Sequence, residues 1–301
     1  MATVVVGAGI IGTAIAHDLQ RRGRRVALVD RDAPGKGASF GNMASIAVTE
    51  FMPASRPSVW RQIPGWMLDP EGPVRIRPSY MPRLVPWFAR FVAASRPSKL
   101  RALEAQGAAL CLRVYDDLLP LLHETGLIGE LTEEGCLSLY SDEAEFRADR
   151  EHIEILERFG FPHQRLTGAE ARELEPELSD SIGIAVLFPQ NRSLRDPYRL
   201  VVALADRFAA LGGRIERGEV AGFERGDRIT GVRLADGTVI DADWCINAAG
   251  AASPALVRDL GIVPSETLAP VFQVAFEYQN AFSNADLPAF VREIGGLLSV
   301  T

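Results

Sequence analysis

The sequence predicts an α/β protein that opens on a βαβ unit, and three observations within the first thirty residues carry this prediction. An apolar run, Thr3–Val6, leads into a glycine-rich turn, Gly7–Gly12, and a helical stretch follows. A second apolar run, Val26–Val29, then ends on Asp30. Strand, glycine turn, helix, strand and acid follow one another in the order that a dinucleotide site requires.

Each glycine of the turn has its own steric role. Gly7 permits the tight turn, and Gly9 lets the backbone approach a pyrophosphate because no Cβ stands in the way. Gly12 lets the helix pack closely on the strand. The start of the helix offers N–H groups and a partial positive charge to the phosphates. The other residues of this cofactor-binding turn are Ala8, Ile10 and Ile11.

The first helix is predicted from its apolar spacing. Ile11, Ile15 and Leu19 recur at every fourth position, so we expect them to form a stripe that packs against a sheet. Gly23 is expected to end the helix. His17, on the same helix, is expected to lie at the surface.

The acid at the end of the second strand indicates which dinucleotide fits. Asp30 can accept hydrogen bonds from the ribose hydroxyls of an adenosine. Arg31 is its only neighbour that could meet a 2′-phosphate. The sequence therefore favours FAD or NAD over NADP.

Composition excludes several classes of protein. A net charge of −7 over 301 residues argues against a nucleic-acid partner. No apolar run approaches the roughly 20 residues of a membrane span, and the first strand stands where a signal peptide would, so a cytoplasmic protein is expected. No histidine spacing suggests a metal site, and no hydrolase motif is present. The cysteines are expected to be buried, reduced thiols: Cys111, Cys136 and Cys245.

The middle of the chain predicts a cap followed by mixed elements. Nine prolines between Pro53 and Pro97 exclude long helices there, apart from short ones such as residues 83–94. A long helix is expected over about residues 99–125, with the stripe Leu100, Leu103, Leu110, Val114 and Leu118. Further predicted elements are strands at 135–140 and 185–189 and a charged helix at 142–159.

The last third returns to strands around one helix. Asp196 and Pro197 precede a helix over residues 198–211 as a cap and first-turn pair. Strands are expected within residues 214–223, 229–234 and 239–247. The strand that ends at Asn247 is followed by the small residues 248–253, where a helix is expected to begin. Because these residues are small, this turn is a second place where the backbone can approach a cofactor.

These features together resemble the FAD-dependent D-amino-acid oxidase superfamily, and within it the small subunits of bacterial D-amino acid dehydrogenases. The resemblance runs from Met1 to about Pro264, and its most specific part is Ala38–Ala44, which is similar to the family's Ser-Phe-x-Asn-x-Gly loop. The proline- and tryptophan-rich cap, the strand at 135–140, residues 174–178 and residues 196–198 add to it.

The resemblance implies FAD as the cofactor and assigns further residues to it. The loop beside the pyrophosphate and flavin would contain Ser39, Asn42, Met43 and Ala44. Val220 would contact the adenine through its backbone, and Ala249 and Gly250 would approach the flavin from the other side. Residues 1–50 and 197–263 would form a discontinuous FAD-binding domain of Rossmann type. Residues 51–196 and 264–301 would form an interrupting substrate domain, a mixed sheet with a helical cap.

Two departures from the family pattern stand out. The family has glycine where this chain has Ala44, so a positive φ there would strain the backbone by roughly 1 kcal/mol or more. The chain also stops at Thr301, where residues 295–301 resemble a sheet strand just before the family's return segment. We therefore expect a truncated chain that lacks the segment completing the nucleotide domain, and the catalytic residues stay unassigned.

The implied chemistry is oxidation of the Cα–N bond of a D-amino acid to a 2-oxo acid and ammonia. Electrons would pass to a quinone or another carrier. Quinone-linked relatives imply a peripheral association with the inner membrane, although no amphipathic basic helix in the sequence indicates one. A substrate carboxylate would need an arginine, for which Arg75, Arg77, Arg192 and Arg195 are candidates. Two alternatives remain open: an amine oxidase of the glycine or sarcosine type, and a catalytically dead fragment of the fold.

Overall fold

A computed structural model describes residues 2–68, 79, 81–226 and 228–260. Two compact units are formed: the first by residues up to Ala44, Leu119–Leu131 and residues from Leu194 onward, the second by Ser45–Leu118 and Thr132–Ser193. The first unit thus includes residues 119–131, which the expected division gave to the substrate domain. Predictions for residues 261–301 lie outside the described residues.

The first unit is built on a parallel sheet of four strands. Its strands are β1 (Ala2–Val6), β2 (Arg25–Asp30), β8 (Arg214–Arg217) and β12 (Trp244–Asn247), in the order β12-β1-β2-β8. Thr3 is paired with Val26 on one side and with Trp244 on the other. The predicted βαβ unit is therefore the centre of the sheet.

Two helices cover one face of this sheet, as a parallel sheet requires. They are α1 (Ile10–Arg21) and α10 (Pro197–Ala210). Asp196 caps α10, since its carboxylate accepts from the amides of Tyr198 and Arg199. The core on this side consists of Val5, Ala8, Ala16, Val26, Leu28 and Phe208.

An antiparallel sheet provides the core on the opposite side. It consists of β9 (Val220–Arg225), β10 (Ile229–Leu234) and β11 (Val239–Asp241), in the order β11-β10-β9. Because β1 alternates, Val4 and Val6 contribute to this second core while Val5 contributes to the first.

The second unit combines two antiparallel sheets with helices. The strands of this unit are β3 (Ser45–Ile46), β4 (Cys136–Tyr140), β5 (Gln164–Thr167), β6 (Ile184–Phe188) and β7 (Arg192–Ser193). One sheet has the strand order β4-β6-β5, and the other pairs β3 with β7. The described helices are α2 (Pro57–Trp60), α3 (Ile63–Leu68), α4 (Met81–Ala94), α5 (Pro97–Cys111), α6 (Val114–Thr125), α7 (Glu143–Ala148), α8 (Arg150–Phe159) and α9 (Gly168–Leu174). Helix α6 continues into the first unit, and α11 (Ser253–Val257) belongs to the first unit.

Several predictions within these elements are wrong. The single helix expected over residues 99–125 is two helices, α5 and α6, and the one expected over 142–159 is α7 and α8. Leu103 and Leu110 of the expected stripe are exposed. Cys136 is exposed, whereas burial raises the pKa of the Cys245 thiol to about 11 and raises that of Cys111.

The expected stripe of the first helix is confirmed at two of its three positions. Ile15 and Leu19 pack against the core beside the sheet, whereas Ile11 is 64% exposed. The fully buried positions of the helix are Gly12, Thr13, Ala16 and His17. Small residues occupy this face because α1 lies close to the sheet. His17 is 0% exposed, and its Nε2 lies 2.9 Å from Glu124 Oε1 on α6, so its expected surface position is wrong.

A titratable network joins β4 to α8 in the second unit. The Tyr140 hydroxyl donates to Asp149 Oδ2 at 2.6 Å, and His152 Nδ1 lies 3.3 Å from the same oxygen. Burial lowers the pKa of His152, but the Asp149 hydrogen bond and the nearby Glu50 carboxylate outweigh it, so the net pKa is raised. The Asp149 pKa is lowered despite burial, because His152 and Tyr140 bond its carboxylate.

This network predicts that the folded state loses stability as the pH rises from 6 to 8. A raised pKa of His152 stabilises the folded state below the unfolded value near 6.5, and that contribution disappears as pH rises through the folded pKa. We expect His152→Gln to remove this part of the pH dependence, measured as the difference in unfolding free energy between pH 6 and pH 8. If wild type and His152→Gln showed the same difference, the pH dependence would not come from His152.

Candidate functional site

The glycine turn between β1 and α1 brings three backbone segments into direct contact. Gly7 has a φ of +103°, and a Cβ there would lie 2.3 Å from the carbonyl oxygen of Ala248. A Cβ on Gly12 would lie 1.8 Å from the carbonyl oxygen of Gly7. The turn therefore has the close helix–strand packing that the sequence predicts, with β12 as a third participant.

The N-terminus of α1 is supported by a side chain from the following loop. Ser39 is buried, and its Oγ accepts from the Ile10 amide at 2.9 Å. A Cβ on Gly9 would lie 3.2 Å from the same oxygen. The first turn of α1 contains no acid, so its N–H groups and the Ser39 hydroxyl proton suit an anion.

Asp30 stands at the end of β2 with its carboxylate already oriented. Oδ2 accepts from the Ala8 amide at 2.6 Å, and Oδ1 accepts from the Asp32 amide at 2.9 Å. A carboxylate has about four acceptor positions, so two remain for hydroxyl donors. Arg31 is exposed and its Nε lies 3.4 Å from Asp32 Oδ2, so the cation expected to meet a 2′-phosphate is paired with Asp32 instead.

The loop after Asp30 is held by Asn42. Its Nδ2 donates to the Ser39 carbonyl at 3.3 Å, and its Oδ1 accepts from the Ala44 amide at 2.8 Å. The amide of Leu194 donates to the Ala44 carbonyl at 3.1 Å. Met43 between them is 78% exposed, so its side chain takes no part in this arrangement.

Ala44 has a left-handed backbone, as expected for a position where the family has glycine. Its φ is +54°, and among the described residues it is the only one other than glycine with a positive φ. An L side chain in this region costs roughly 1–2 kcal/mol. The bonds from Asn42 and Leu194 hold the residue there.

We expect Ala44→Gly to raise the free energy of unfolding by about 1 kcal/mol, because relief of backbone strain exceeds the added chain entropy of glycine. Chemical denaturation measures it. Ala38→Gly in the same loop is the matched control and is expected to lower the free energy by about 0.5–1 kcal/mol, since Ala38 has no positive φ. Equal losses in both variants would show that Ala44 is unstrained.

A second turn follows β12 on the other side of β1. The Ala248 amide donates to the Val6 carbonyl at 2.8 Å, and Gly250 has a φ of +56°. Asn247 fixes the turn, since its Oδ1 accepts from the Ala249 amide and its Nδ2 donates to the Ser253 carbonyl at 3.0 Å. Sequence reasoning did not select Asn247, although an asparagine between a strand and a run of small residues is a turn signal.

The remaining predicted residue, Val220, begins β9. It is buried in the core that contains Val4, Val6 and Val29. It therefore belongs to the same unit as the glycine turn, and its backbone contact with an adenine stays a prediction.

Two classes of site receive no support from the described part of the chain. No group of three or more histidine, cysteine, aspartate or glutamate residues there could hold a metal ion. None of the helices described is long and apolar enough to cross a bilayer.

Comparisons with known proteins identify the family. Residues 2–295 match the model of a family described as FAD dependent oxidoreductase. The chain is 30% identical over 272 residues to a D-amino-acid oxidase of Bradyrhizobium diazoefficiens, covering 87% of this chain and 63% of the relative. It is 32% identical over 273 residues to D-amino acid dehydrogenase 2 of Ralstonia nicotianae, covering 88% and 64%.

Solved structures show the same fold. The glycine oxidase of Geobacillus kaustophilus superposes with a TM-score of 0.59 and 25% identity, over 87% of this chain and 59% of that one. The glycine oxidase of Bacillus cereus gives a TM-score of 0.57 and 23% identity, over 86% and 57%. The chain thus spans less than two thirds of the length of the relatives it matches.

Proposed function

Since this chain belongs to the family of FAD dependent oxidoreductases, we propose that it is a flavoprotein that oxidises the Cα–N bond of D-amino acids. The products would be a 2-oxo acid and ammonia. The observation that carries the proposal is the glycine turn, where a Cβ on Gly7 would collide with the Ala248 carbonyl and a Cβ on Gly12 would collide with the Gly7 carbonyl. That cradle fits a diphosphate at the start of α1.

The residues of the first unit would divide the cofactor between them. The Ser39 hydroxyl and the N–H groups of α1 would donate to the diphosphate oxygens, while Asp30 would accept from the ribose hydroxyls. The turn at Ala249 and Gly250 would lie against the flavin. FAD, when bound, supplies the acceptor for a hydride from Cα. The contribution of the protein is then to orient the free amine and exclude water, which requires no acid–base pair.

Arg192 is the better described candidate for the substrate carboxylate. Its guanidinium lies 4.9 Å from the centre of the Tyr115 ring, and its Nη1 lies 3.7 Å from the exposed Glu133 carboxylate. Its Nε is buried without an acceptor. A buried donor without a partner is costly, and a carboxylate would satisfy it. Arg195 is exposed, and Arg75 and Arg77 lie outside the described residues.

We further propose a quinone or similar carrier as electron acceptor and a cytoplasmic protein that binds the inner membrane peripherally. Residues 51–103 contain nine basic and two acidic residues in a chain with a net charge of −7, although Arg56 among them is buried in an ion pair with Glu104. Helix α4 contains Arg83 and Arg90 together with a stack of Trp87 on Phe91 at 5.0 Å. An aromatic helix with basic residues suits an anionic lipid surface. Sedimentation of the chain with anionic but not with neutral vesicles would support the peripheral binding to the membrane. Equal sedimentation with both kinds of vesicle would contradict it.

Two alternatives remain. The glycine oxidases of known structure favour an amine oxidase acting on glycine or sarcosine. The other alternative is a catalytically inactive fragment of the fold.

Titration of the purified chain with FAD separates the three functions. Uptake of FAD followed by anaerobic bleaching with D-alanine supports the proposed function. Bleaching with sarcosine or glycine alone would favour the amine oxidase instead. A chain that binds no FAD, or binds it without bleaching by any amine, would leave the inactive fragment.

A further inference from the structure

Lys36 is the one lysine of the loop between β2 and β3, and its ammonium lies against two aromatic rings. Nζ is 4.8 Å from the centre of the Phe40 ring and 4.5 Å from that of Tyr198. The two rings meet edge to face, with centres 5.2 Å apart. We call these three residues the Lys36 clamp. Phe40 is 50% exposed, so burial in a core does not explain its position.

The clamp is attached to a rigid element on one side. Tyr198 lies in the first turn of α10, where the Asp196 carboxylate accepts its amide at 2.9 Å. Gly35 packs directly on the Tyr198 ring, since a Cβ there would lie 2.9 Å from Cδ2. The Gly35 amide also donates to the Ala8 carbonyl at 2.8 Å, which ties the start of the loop to the glycine turn.

The clamp closes around the residue that reaches the helix N-terminus. Ser39 lies between Lys36 and Phe40 in the chain, and its Oγ accepts from the Ile10 amide. A loop free to move would lose this bond, because Ser39 has to be held within hydrogen-bond distance of α1. We propose that the Lys36 clamp preorganises this loop for the diphosphate of the dinucleotide, with Lys36 as a positioning residue. This inference rests on the proposed function.

A direct contact between Lys36 and a phosphate is the competing role for a lysine in this loop. The rings distinguish the two roles. A cation that acts on phosphate needs neither Phe40 nor Tyr198, whereas the clamp needs all three residues. The structure gives Lys36 no ion pair among the described residues, and the two rings are the partners it has.

The test compares FAD affinity in four variants of the full chain, measured by flavin fluorescence. Lys36→Met and Phe40→Leu are each expected to weaken binding about three- to tenfold, the range of a cation–π contact, and the double variant no further than either. Lys36→Arg keeps the cation and should stay within about twofold of wild type. Thermal unfolding of each apo variant should match wild type within a few degrees.

Amide hydrogen exchange of residues 37–44 in the apo chain provides a second measurement. Lys36→Met and Phe40→Leu should both speed it, and Lys36→Arg should not. Weaker FAD binding in Lys36→Met with no change in Phe40→Leu would overturn the clamp in favour of a phosphate contact. If wild type binds no FAD, the proposed function fails, and exchange alone then decides: unchanged exchange in Lys36→Met would overturn the clamp.

Discussion

Replacement of Gly12 by alanine is expected to lower the free energy of unfolding by about 3 kcal/mol and to abolish uptake of FAD. The added Cβ would lie 1.8 Å from the Gly7 carbonyl oxygen and 3.3 Å from the Ala248 Cβ. Both neighbours directly follow strands of the sheet, Gly7 after β1 and Ala248 after β12, so α1 has to move away from them. That movement takes the helix N-terminus away from the proposed diphosphate site.

Gly129→Ala is the matched control, because a Cβ there meets no atom within 4 Å and the residue has no positive φ. We expect it to change the free energy of unfolding by less than about 0.5 kcal/mol. Denaturant titration and FAD fluorescence measure the two effects. If Gly12→Ala behaved like Gly129→Ala in both measurements, the backbone cradle would be wrong.

Removal of the Glu104 side chain is expected to have the largest effect on the second unit. Glu104 is 5% exposed, and its two oxygens accept from Arg56 Nη2 at 3.0 Å and from Arg158 Nη1 at 3.1 Å. Glu104→Ala leaves the buried Arg56 guanidinium with the half-exposed Glu151 carboxylate at 3.3 Å as its remaining ion pair. A buried charge left with no partner costs about 3–5 kcal/mol, so we expect a loss at the lower end of this range, about 3 kcal/mol.

The control for this prediction is an exposed pair on α8. Arg150 and Glu154 are both more than half exposed at a distance of 2.7 Å, and Glu154→Ala is expected to cost less than about 0.5 kcal/mol. Both variants are compared by urea unfolding. Similar small losses in Glu104→Ala and Glu154→Ala would mean that water already screens the Glu104 cluster.

The parts of the fold that follow from neighbouring residues could be predicted. The βαβ unit depends on contacts within residues 2–30, so its apolar runs and glycines are sufficient. The cap of α10 is equally local, since Asp196 bonds amides two and three positions onward. The strain at Ala44 was predictable only through the family resemblance, which has glycine at this position, since glycine alone occupies a left-handed position without cost.

Features that depend on distant partners could not be predicted. His17 is buried because Glu124, 107 residues away, supplies an acceptor, and no pattern on α1 announces that. The Arg56–Glu104–Arg158 cluster joins residues that look like ordinary surface charges in the sequence. Ile11 was assigned to the buried stripe because periodicity gives the spacing of a helix face, while the small residues Gly12 and Ala16 decide which face approaches the sheet.

The order of strands in the first sheet has a consequence for synthesis on the ribosome. β1 emerges first, yet its partner β12 follows about 240 residues later, since Thr3 pairs with Trp244. At roughly 5–20 residues per second, one edge of β1 waits on the order of ten to fifty seconds for its neighbour. The intervening second unit is complete by Ser193 and can fold during that delay. During that interval the nascent chain carries an open, apolar β-edge, which other strands could pair with.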